Sequence, residues 1–186
     1  VEIKPPTSAP PVAKELVLEP GKDMYGDPLK EGTSARMGTM RLRYNGAVSS
    51  VAVSPDGSVL VSCAFGGNSI WDLATGKRLR GLDRCGVGIF FNSDGTKLIT
   101  SAAESVHVVE YVTAKIHRKL KLHAKYIRHM AMSRDRSKVL TMASDKTAAL
   151  TDLTTGKRIR SFTGKGWARG VALAPDARWA ALHFDG

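Results

Sequence analysis

Long hydrophobic runs are missing from this sequence. No stretch approaches the roughly 18 to 20 consecutive apolar residues that a membrane-spanning helix needs, and the first thirty residues contain no apolar secretory core. We therefore expect no membrane span. Apolar residues still make up 42% of the 186 positions and charged residues 24%, which is the composition of a globular protein rather than of a disordered one.

Cysteine is scarce. Cys63 and Cys85 are the only two, and they have neither the close spacing of a metal site nor the density of a disulfide scaffold. We expect both to be free thiols, one of them buried.

Acidic residues are few as well. The chain has 17 Asp and Glu against 28 Lys and Arg, which leaves a formal net charge of +11. Such an excess favours association with anionic partners, but it does not indicate a fold.

Turns recur along the chain at a regular interval. The segment Ser54–Gly57 returns in related form at steps of 38, 41 and 41 residues, as Asn92–Gly95, Ser133–Arg136 and Ala174–Ala177. Short apolar segments lie on both sides of each turn. A second turn recurs as Trp71–Lys77, Thr151–Lys157 and, in degraded form, Val109–Lys115. Each unit therefore contains four short strands joined by tight turns, which is the layout of one β-propeller blade.

The Ser-Pro-Asp-Gly turn at residues 54–57, the Trp71-Asp72 pair and the Thr-Gly-Lys turn after it resemble the repeat of the WD-repeat family. The resemblance extends over residues 41–186 and is most complete at residues 48–82. It implies an all-β fold, a β-propeller of four-stranded antiparallel blades. Residues 23–43 also resemble the lead-in of large bacterial WD-repeat proteins.

The repeats predict how the chain is divided. Residues 1–38 are expected to form a Pro-rich linker and turn-rich lead-in, and residues 39–186 a WD-repeat propeller fragment. Within this fragment we predict a closing outer strand, three blades and a partial blade, at approximately 39–44, 46–82, 83–122, 123–163 and 164–186. About three and a half blades are too few for a familiar closed ring, so we expect an incomplete arc cut from a longer chain. Self-association through open blade edges is the alternative.

WD-repeat proteins join a His, a Ser or Thr, an Asp and a Trp of one repeat in a structural hydrogen-bond network. The resemblance assigns residues of two units to this network, namely His123, Thr141 and Asp145, with Thr151 at the place of the Trp, and Trp71 and Asp72. These residue types could also form a nucleophilic triad, but a triad needs an oxyanion hole and a cleft that no sequence feature indicates. We predict a structural network and no catalytic residue.

Two further sets of residues have side chains suited to chemistry. One aspartate stands in each recurring turn, where it could act as an acid or base, and His117, His123 and His129 are evenly spaced and could bind a metal. The turn position predicts instead that the aspartates cap backbone amides. Because the chain must reverse direction between the histidines, we expect them to point apart, and we predict neither a metal site nor a cofactor.

Basic residues concentrate around the predicted fourth strands. We call this set the basic rim: Lys77, Arg78, Arg80, Lys115, Arg118, Lys119, Lys121, Lys125, Arg128, Lys157, Arg158 and Arg160. Such charges protect an exposed outer strand from edge pairing, and we favour this interpretation. Nonspecific, salt-dependent contact with nucleic acid, or contact with an acidic protein or anionic surface, is the alternative.

An aromatic residue is followed two positions later by an arginine at the start of two consecutive units. The pairs are Tyr126 with Arg128 and Trp167 with Arg169. The resemblance places them on the face where propellers usually receive ligands, and aromatic and Arg side chains are favoured anchors of protein interfaces. We predict that these four residues bind a partner; the alternative is that the two aromatic side chains pack between blades.

These patterns predict a non-catalytic protein–protein interaction scaffold of the WD-repeat type. Its partner would be a protein or peptide, an acidic one included. Binding of nucleic acid or of an anionic surface through the basic rim is one alternative, and a binding or regulatory module of a larger multidomain enzyme is another. The sequence indicates no cellular location beyond the cytoplasm or cell envelope of a bacterium, which the lead-in suggests.

Overall fold

The computed structural model describes residues 21–22, 27–32, 42, 46–64, 67–82 and 86–185. They belong to two compact units, Val1–Arg41 and Leu42–Gly186. In the first unit, Lys22 and Pro28 form an isolated antiparallel bridge. Apart from Leu42, the predicted closing strand at residues 39–44 lies outside the described residues, as does most of the predicted linker. None of the described residues belongs to a helix long and apolar enough to cross a membrane.

The second unit consists of four antiparallel sheets, here called blades 1 to 4, whose strands follow the chain order without a crossover. Blade 1 contains β1 (Val48–Val53), β2 (Val59–Ala64), β3 (Gly67–Asp72) and β4 (Arg78–Leu82). Blade 2 contains β5 (Ile89–Phe91), β6 (Lys97–Ala102), β7 (Ser105–Glu110) and β8 (Ile116–Lys121). Blade 3 contains β9 (Ile127–Met132), β10 (Lys138–Ala143), β11 (Thr147–Asp152) and β12 (Arg158–Thr163). Blade 4 contains β13 (Trp167–Leu173) and β14 (Ala180–Asp185). The predicted all-β architecture, an incomplete arc of propeller blades, is confirmed.

Burial changes across each complete blade. In blade 3, five of the six residues of β10 are buried, whereas the outer strand β12 has none. The middle strands of blades 2 and 3 are buried on both faces because each of these blades packs against a neighbour on either side.

Apolar side chains join neighbouring blades. One cluster between blades 1 and 2 contains Val61, Cys63, Ile70, Ile89 and Phe91, and a second between blades 2 and 3 contains Ile99, Val106, Leu122 and Ile127. Full burial of a side chain of this size contributes about 1.5 to 3 kcal/mol. The blades are therefore held together mainly by these clusters.

Cys63 is fully buried and disulfide-bonded, so the expectation of a free thiol is wrong at this position. Separation along the sequence does not determine how far apart two sulfur atoms lie, because strands that are distant in sequence become neighbours in a folded sheet. Cys85 lies outside the described residues.

An aspartate closes the turn between the first two strands of each blade. Four carboxylates accept a hydrogen bond from the backbone N–H two residues later, at distances of 2.8 to 3.1 Å, and these are Asp56, Asp94, Asp135 and Asp176. The Ser54 hydroxyl donates to Asp56, as do the backbone N–H and the hydroxyl of Ser58. These hydrogen bonds, that of Ser54 most of all, lower the pKa of the Asp56 carboxyl to about 2. The aspartates thus cap their own turns, as the turn chemistry predicts.

Candidate partner-binding groove

A hydrogen-bonded network occupies the start of blade 3. His123 is buried, with Nε2 2.8 Å from Thr141 Oγ1 and Nδ1 2.7 Å from Thr147 Oγ1. The Thr147 hydroxyl donates to Asp145 Oδ1 at 2.5 Å, and the Ala124 N–H donates to Asp145 Oδ2 at 2.7 Å. The structure thus brings His123, Thr141 and Asp145 together. It adds Thr147, which the sequence reasoning missed although it stands two residues after the turn aspartate.

Burial dominates the electrostatics of this network. Desolvation lowers the pKa of His123, against an opposing effect of Asp145 and with a smaller contribution of Arg158. Desolvation would raise the pKa of Asp145, but hydrogen bonds from Thr147 and from the Ala124 N–H outweigh it and lower the value. Both ring nitrogens of His123 already have hydroxyl partners, so the arrangement connects strands instead of presenting a base to solvent.

The other two predicted network residues, Trp71 and Asp72, lie in blade 1 and not beside His123. Trp71 is buried, and its Nε1 donates to Ser62 Oγ at 2.9 Å. Ser62 has the same place in β2 that Thr141 has in β10. Asp72 lies in the next turn, where Oδ1 accepts from the Thr75 N–H at 2.7 Å. Trp71 therefore braces two strands and Asp72 caps a turn.

The aromatic residues predicted to bind a partner are exposed. Tyr126 and Trp167 are 67% and 61% accessible, so neither is buried between the blades of the described region. Tyr126 comes directly before β9, and Trp167 begins β13. Both are thus available for contact.

The two arginines have different neighbours. Arg128 Nε donates to Ser144 Oγ at 2.8 Å. Arg169 Nε donates to Asp185 Oδ2 at 2.6 Å, and its Nη2 lies 2.5 Å from the same oxygen. Each arginine is therefore fixed by a residue at the end of the adjacent strand of its own blade.

Both arginines occupy β-bulges. The pairing of β9 with β10 skips Arg128, the pairing of β13 with β14 skips Arg169, and the pairing of β1 with β2 skips Ser49. In the repeat spacing of 38 and 41 residues, Val87 occupies the same position in the second unit. A bulge leaves its extra residue outside the ladder and changes the direction of its side chain.

Arg128, Arg169 and Val87 meet in one groove. Its volume is about 440 Å³, and its lining consists of Val87, Arg128, His129, Trp167, Ala168 and Arg169. Three of the four predicted binding residues line it, whereas Tyr126 does not. Val87 and His129 were missed, although the repeat spacing from Arg128 leads to Val87.

Loop contacts fix the position of the groove. The Ser144 N–H donates to the Tyr126 carbonyl at 2.9 Å, and the Gly164 N–H donates to the Lys146 carbonyl at 2.8 Å. The Trp167 N–H donates to Asp185 Oδ1 at 2.8 Å. The loops that precede β9 and β13 are therefore bonded to the β10–β11 turn and to the end of β14, which limits their movement.

Several basic-rim residues are used within the fold. Arg118 Nη1 of blade 2 donates to the carbonyls of Leu153 and Thr154 in blade 3, both at 3.0 Å. Arg158 Nη2 donates to the carbonyl of Leu122. On β8 and β12, Lys119, Lys121 and Arg160 are exposed, and Lys121 Nζ lies 3.9 Å from Glu104 Oε1. The rim is thus partly a device for joining blades.

In the described part of the chain, no three His, Cys, Asp or Glu side chains are grouped so that they could hold a metal ion. His117 is exposed on β8, His123 is buried, and His129 lies on β9. The three evenly spaced histidines are therefore in different surroundings.

Comparison with known proteins identifies the repeat. The family model of the WD domain, G-beta repeat (WD40), matches residues 38–72, which include β1, β2 and β3. The small ribosomal subunit protein RACK1 of Glycine max is 33% identical over 99 residues, and that of Medicago sativa is 32% identical over 99 residues. Together these matches support a WD-repeat β-propeller. Each alignment covers 50% of this WD-repeat chain and 30% of the relative, so the chain matches less than a third of either RACK1.

Solved structures support the same fold. The hydrazine synthase of Kuenenia stuttgartiensis superposes on this WD-repeat chain with a TM-score of 0.64 at 17% identity, covering 73% of this chain and 43% of the other. U3-55K gives a TM-score of 0.63 at 15% identity, with 76% and 47% covered. At these identities the likeness concerns the fold alone.

Proposed function

We propose that this WD-repeat chain is a non-catalytic protein-interaction scaffold and that the groove of Arg128, Trp167 and Arg169 is its binding surface. One observation carries the proposal. The bulge residues Arg128 and Arg169 and the equivalent residue of the preceding unit, Val87, meet in a single groove beside an exposed tryptophan. Tryptophan and arginine are the side chains most often found to dominate the energetics of protein interfaces.

The groove is also prepared for binding. Ser144 and Asp185 already hold the two arginine side chains, so a partner would lose less rotamer entropy than with free side chains, for which the cost is about 0.5 to 1.5 kcal/mol each. Trp167 adds a large rigid surface. An extended peptide or a loop of a folded protein would fit a groove of this size.

The relatives support a role in an assembly. Both are named as proteins of the small ribosomal subunit, which is a large complex. We extend to this chain only the general role of binding other components, since the alignments cover a minor part of the relatives.

The test compares two exposed tryptophans. Trp167 and Trp179 stand near opposite ends of the β13–β14 hairpin, with 61% and 79% of their surfaces accessible. Peptides selected from a random display library on the wild-type chain should bind Trp167→Ala at least about tenfold more weakly. Trp179→Ala should bind them as the wild type does. Equal affinities of the wild type and Trp167→Ala, with intact circular dichroism, would remove the groove from consideration.

A second candidate function is polyanion binding through the basic rim, and the exposed lysines of β8 favour it. Replacing Lys119 and Lys121 by Gln should then weaken the binding of a short single-stranded RNA, and the wild-type affinity should fall steeply with salt. Binding that is insensitive to both changes would eliminate this candidate. A binding module within a larger multidomain enzyme remains a third proposal, in which the groove would have the same role.

A further inference from the structure

We infer that the groove selects an acidic peptide, in which a carboxylate bonds to Arg128 and a neighbouring apolar side chain packs on Trp167. The inference rests on the proposed binding function of the groove and adds the chemical class of the ligand.

The first argument is charge balance. Arg169 is neutralised by Asp185, whose Oδ2 accepts both of its hydrogen bonds. Arg128 has only the uncharged hydroxyl of Ser144 as a partner among the described residues. One full positive charge therefore remains uncompensated in the groove, and an anionic group of the ligand would complete it.

The second argument is geometry. Ser144 engages Nε of Arg128, which fixes the plane of the guanidinium and leaves its two terminal nitrogens to the ligand. A planar guanidinium held in this way matches the two oxygens of a carboxylate and forms paired hydrogen bonds. Arg128 is exposed on its bulge, so a ligand reaches it without a rearrangement of the sheet.

The surrounding loops carry the same sign of charge. Lys125, Lys146 and Lys165 lie in the loops and turns next to β9 and β13, and all three are exposed. Together with Arg128 and Arg169 they outnumber the nearby acidic side chains, Asp145 and Asp185. The field at the groove is therefore positive, which steers an acidic segment toward it.

The apolar part of the lining favours a peptide over a nucleic acid. Val87 and Ala168 lie beside the charge, and Trp167 offers an exposed ring. A nucleic acid gains its affinity from several cations along a backbone track, whereas this groove has one uncompensated cation next to apolar surface. An acidic residue followed by an aromatic residue would use both features.

The experiment uses the complete 186-residue chain and the fluorescein-labelled peptide Gly-Asp-Phe-Asp-Phe-Gly, blocked at both ends, with its Asn-containing isostere as the neutral probe. Affinity is measured by fluorescence anisotropy. The wild type should bind the acidic peptide about tenfold more tightly than the isostere, as expected for a charge-assisted hydrogen bond.

Three substitutions are expected to change the affinity in three different ways. Arg128→Gln should weaken binding of the acidic peptide about five- to tenfold. Asp185→Asn should strengthen it about threefold or more, because it releases the charge of Arg169 while Asn Oδ1 still accepts from the Trp167 N–H. Arg160→Gln removes the same unit of charge from exposed β12 and should leave the affinity unchanged.

Several results would overturn the inference. Equal affinity for the two peptides, or unchanged binding by Arg128→Gln, contradicts it. If a lysine-containing peptide binds more tightly and still requires Trp167, the groove is a binding site and its acidic selectivity is wrong. If no peptide responds to Trp167→Ala, the proposed function fails as well. Displacement of the acidic peptide by oligodeoxythymidylate, with dependence on Arg128, would indicate a polyanion site instead.

Discussion

Arg169 Nη2 lies 2.5 Å from Asp185 Oδ2, and Arg128 at the equivalent position donates to the uncharged Ser144 Oγ at 2.8 Å. The spacing of 41 residues that relates the two arginines also relates Ser144 to Asp185. One fold position thus contains an ion pair in blade 4 and a lone cation in blade 3. This difference, rather than the net charge of the chain, is the basis of the proposed preference for an acidic peptide.

His123 should be required for the stability of blade 3. His123→Ala leaves the hydroxyls of Thr141 and Thr147 without their buried partner, at a cost of about 1 to 3 kcal/mol. Urea unfolding followed by circular dichroism measures this loss. His117→Ala, on the exposed outer strand β8, is the matched control and should change the free energy of unfolding by less than about 0.5 kcal/mol. Equal effects of the two substitutions would contradict a structural role of the network.

The same histidine predicts how stability depends on pH. Burial holds the pKa of His123 in the folded chain below its ordinary value of 6.5, so the unfolded chain binds a proton first as the pH falls. The contribution of His123 is therefore complete above about 6.5 and is lost as the pH falls from there toward the lower folded value. Urea unfolding of wild type and His123→Gln across this window should show a shallower pH dependence in the variant. Parallel curves would mean that other groups cause the dependence.

Replacing Ala177 with glycine should stabilise the chain. Its φ is +59°, where Gly57 and Gly95 stand in the equivalent turns of blades 1 and 2. A side chain in this left-handed region costs about 1 to 2 kcal/mol, and glycine avoids that strain at a smaller entropic cost. Ala177→Gly should therefore raise the midpoint of thermal unfolding. Ala172→Gly in strand β13 is the control and should lower it.

Gly164 should not tolerate a methyl group. A Cβ atom at this residue would overlap the ring of Phe184, whereas one at Gly170 would meet no atom within 4 Å. We expect Gly164→Ala to destabilise the chain by about 1 to 3 kcal/mol through overpacking and to weaken peptide binding by shifting the loop before Trp167. Gly170→Ala should do neither. Equal thermal midpoints for the two variants would show that the ring of Phe184 moves freely.

Local turn chemistry explains why the fold could be predicted. The aspartate turns recur with Gly57 and Gly95 at positive φ, and the apolar segments beside them are the strands β1, β2, β5 and β6. Such signals act within a few residues, so the sequence is sufficient to define them. The same logic relates Arg128 to Arg169, because they occupy the same position in successive repeats.

Features that depend on distant residues were not predictable in this way. The disulfide of Cys63 was missed because it depends on which strand ends meet. Val87 is unremarkable as a sequence feature and enters the groove only through the packing of blade 2 beside blade 3. The contrast between Ser144 and Asp185 was also missed, since neither residue has meaning until its arginine is placed beside it.

The recurring bulge has a consequence for how this surface could change. Ser49, Arg128 and Arg169 occupy the same extra position in their blades, so a hydroxyl and a guanidinium are both compatible with the strand pairing around it. Because the ladder does not use this residue, its identity can be exchanged with little cost to folding. A designer could thus rewrite the ligand preference of the arc one blade at a time and leave the blades intact.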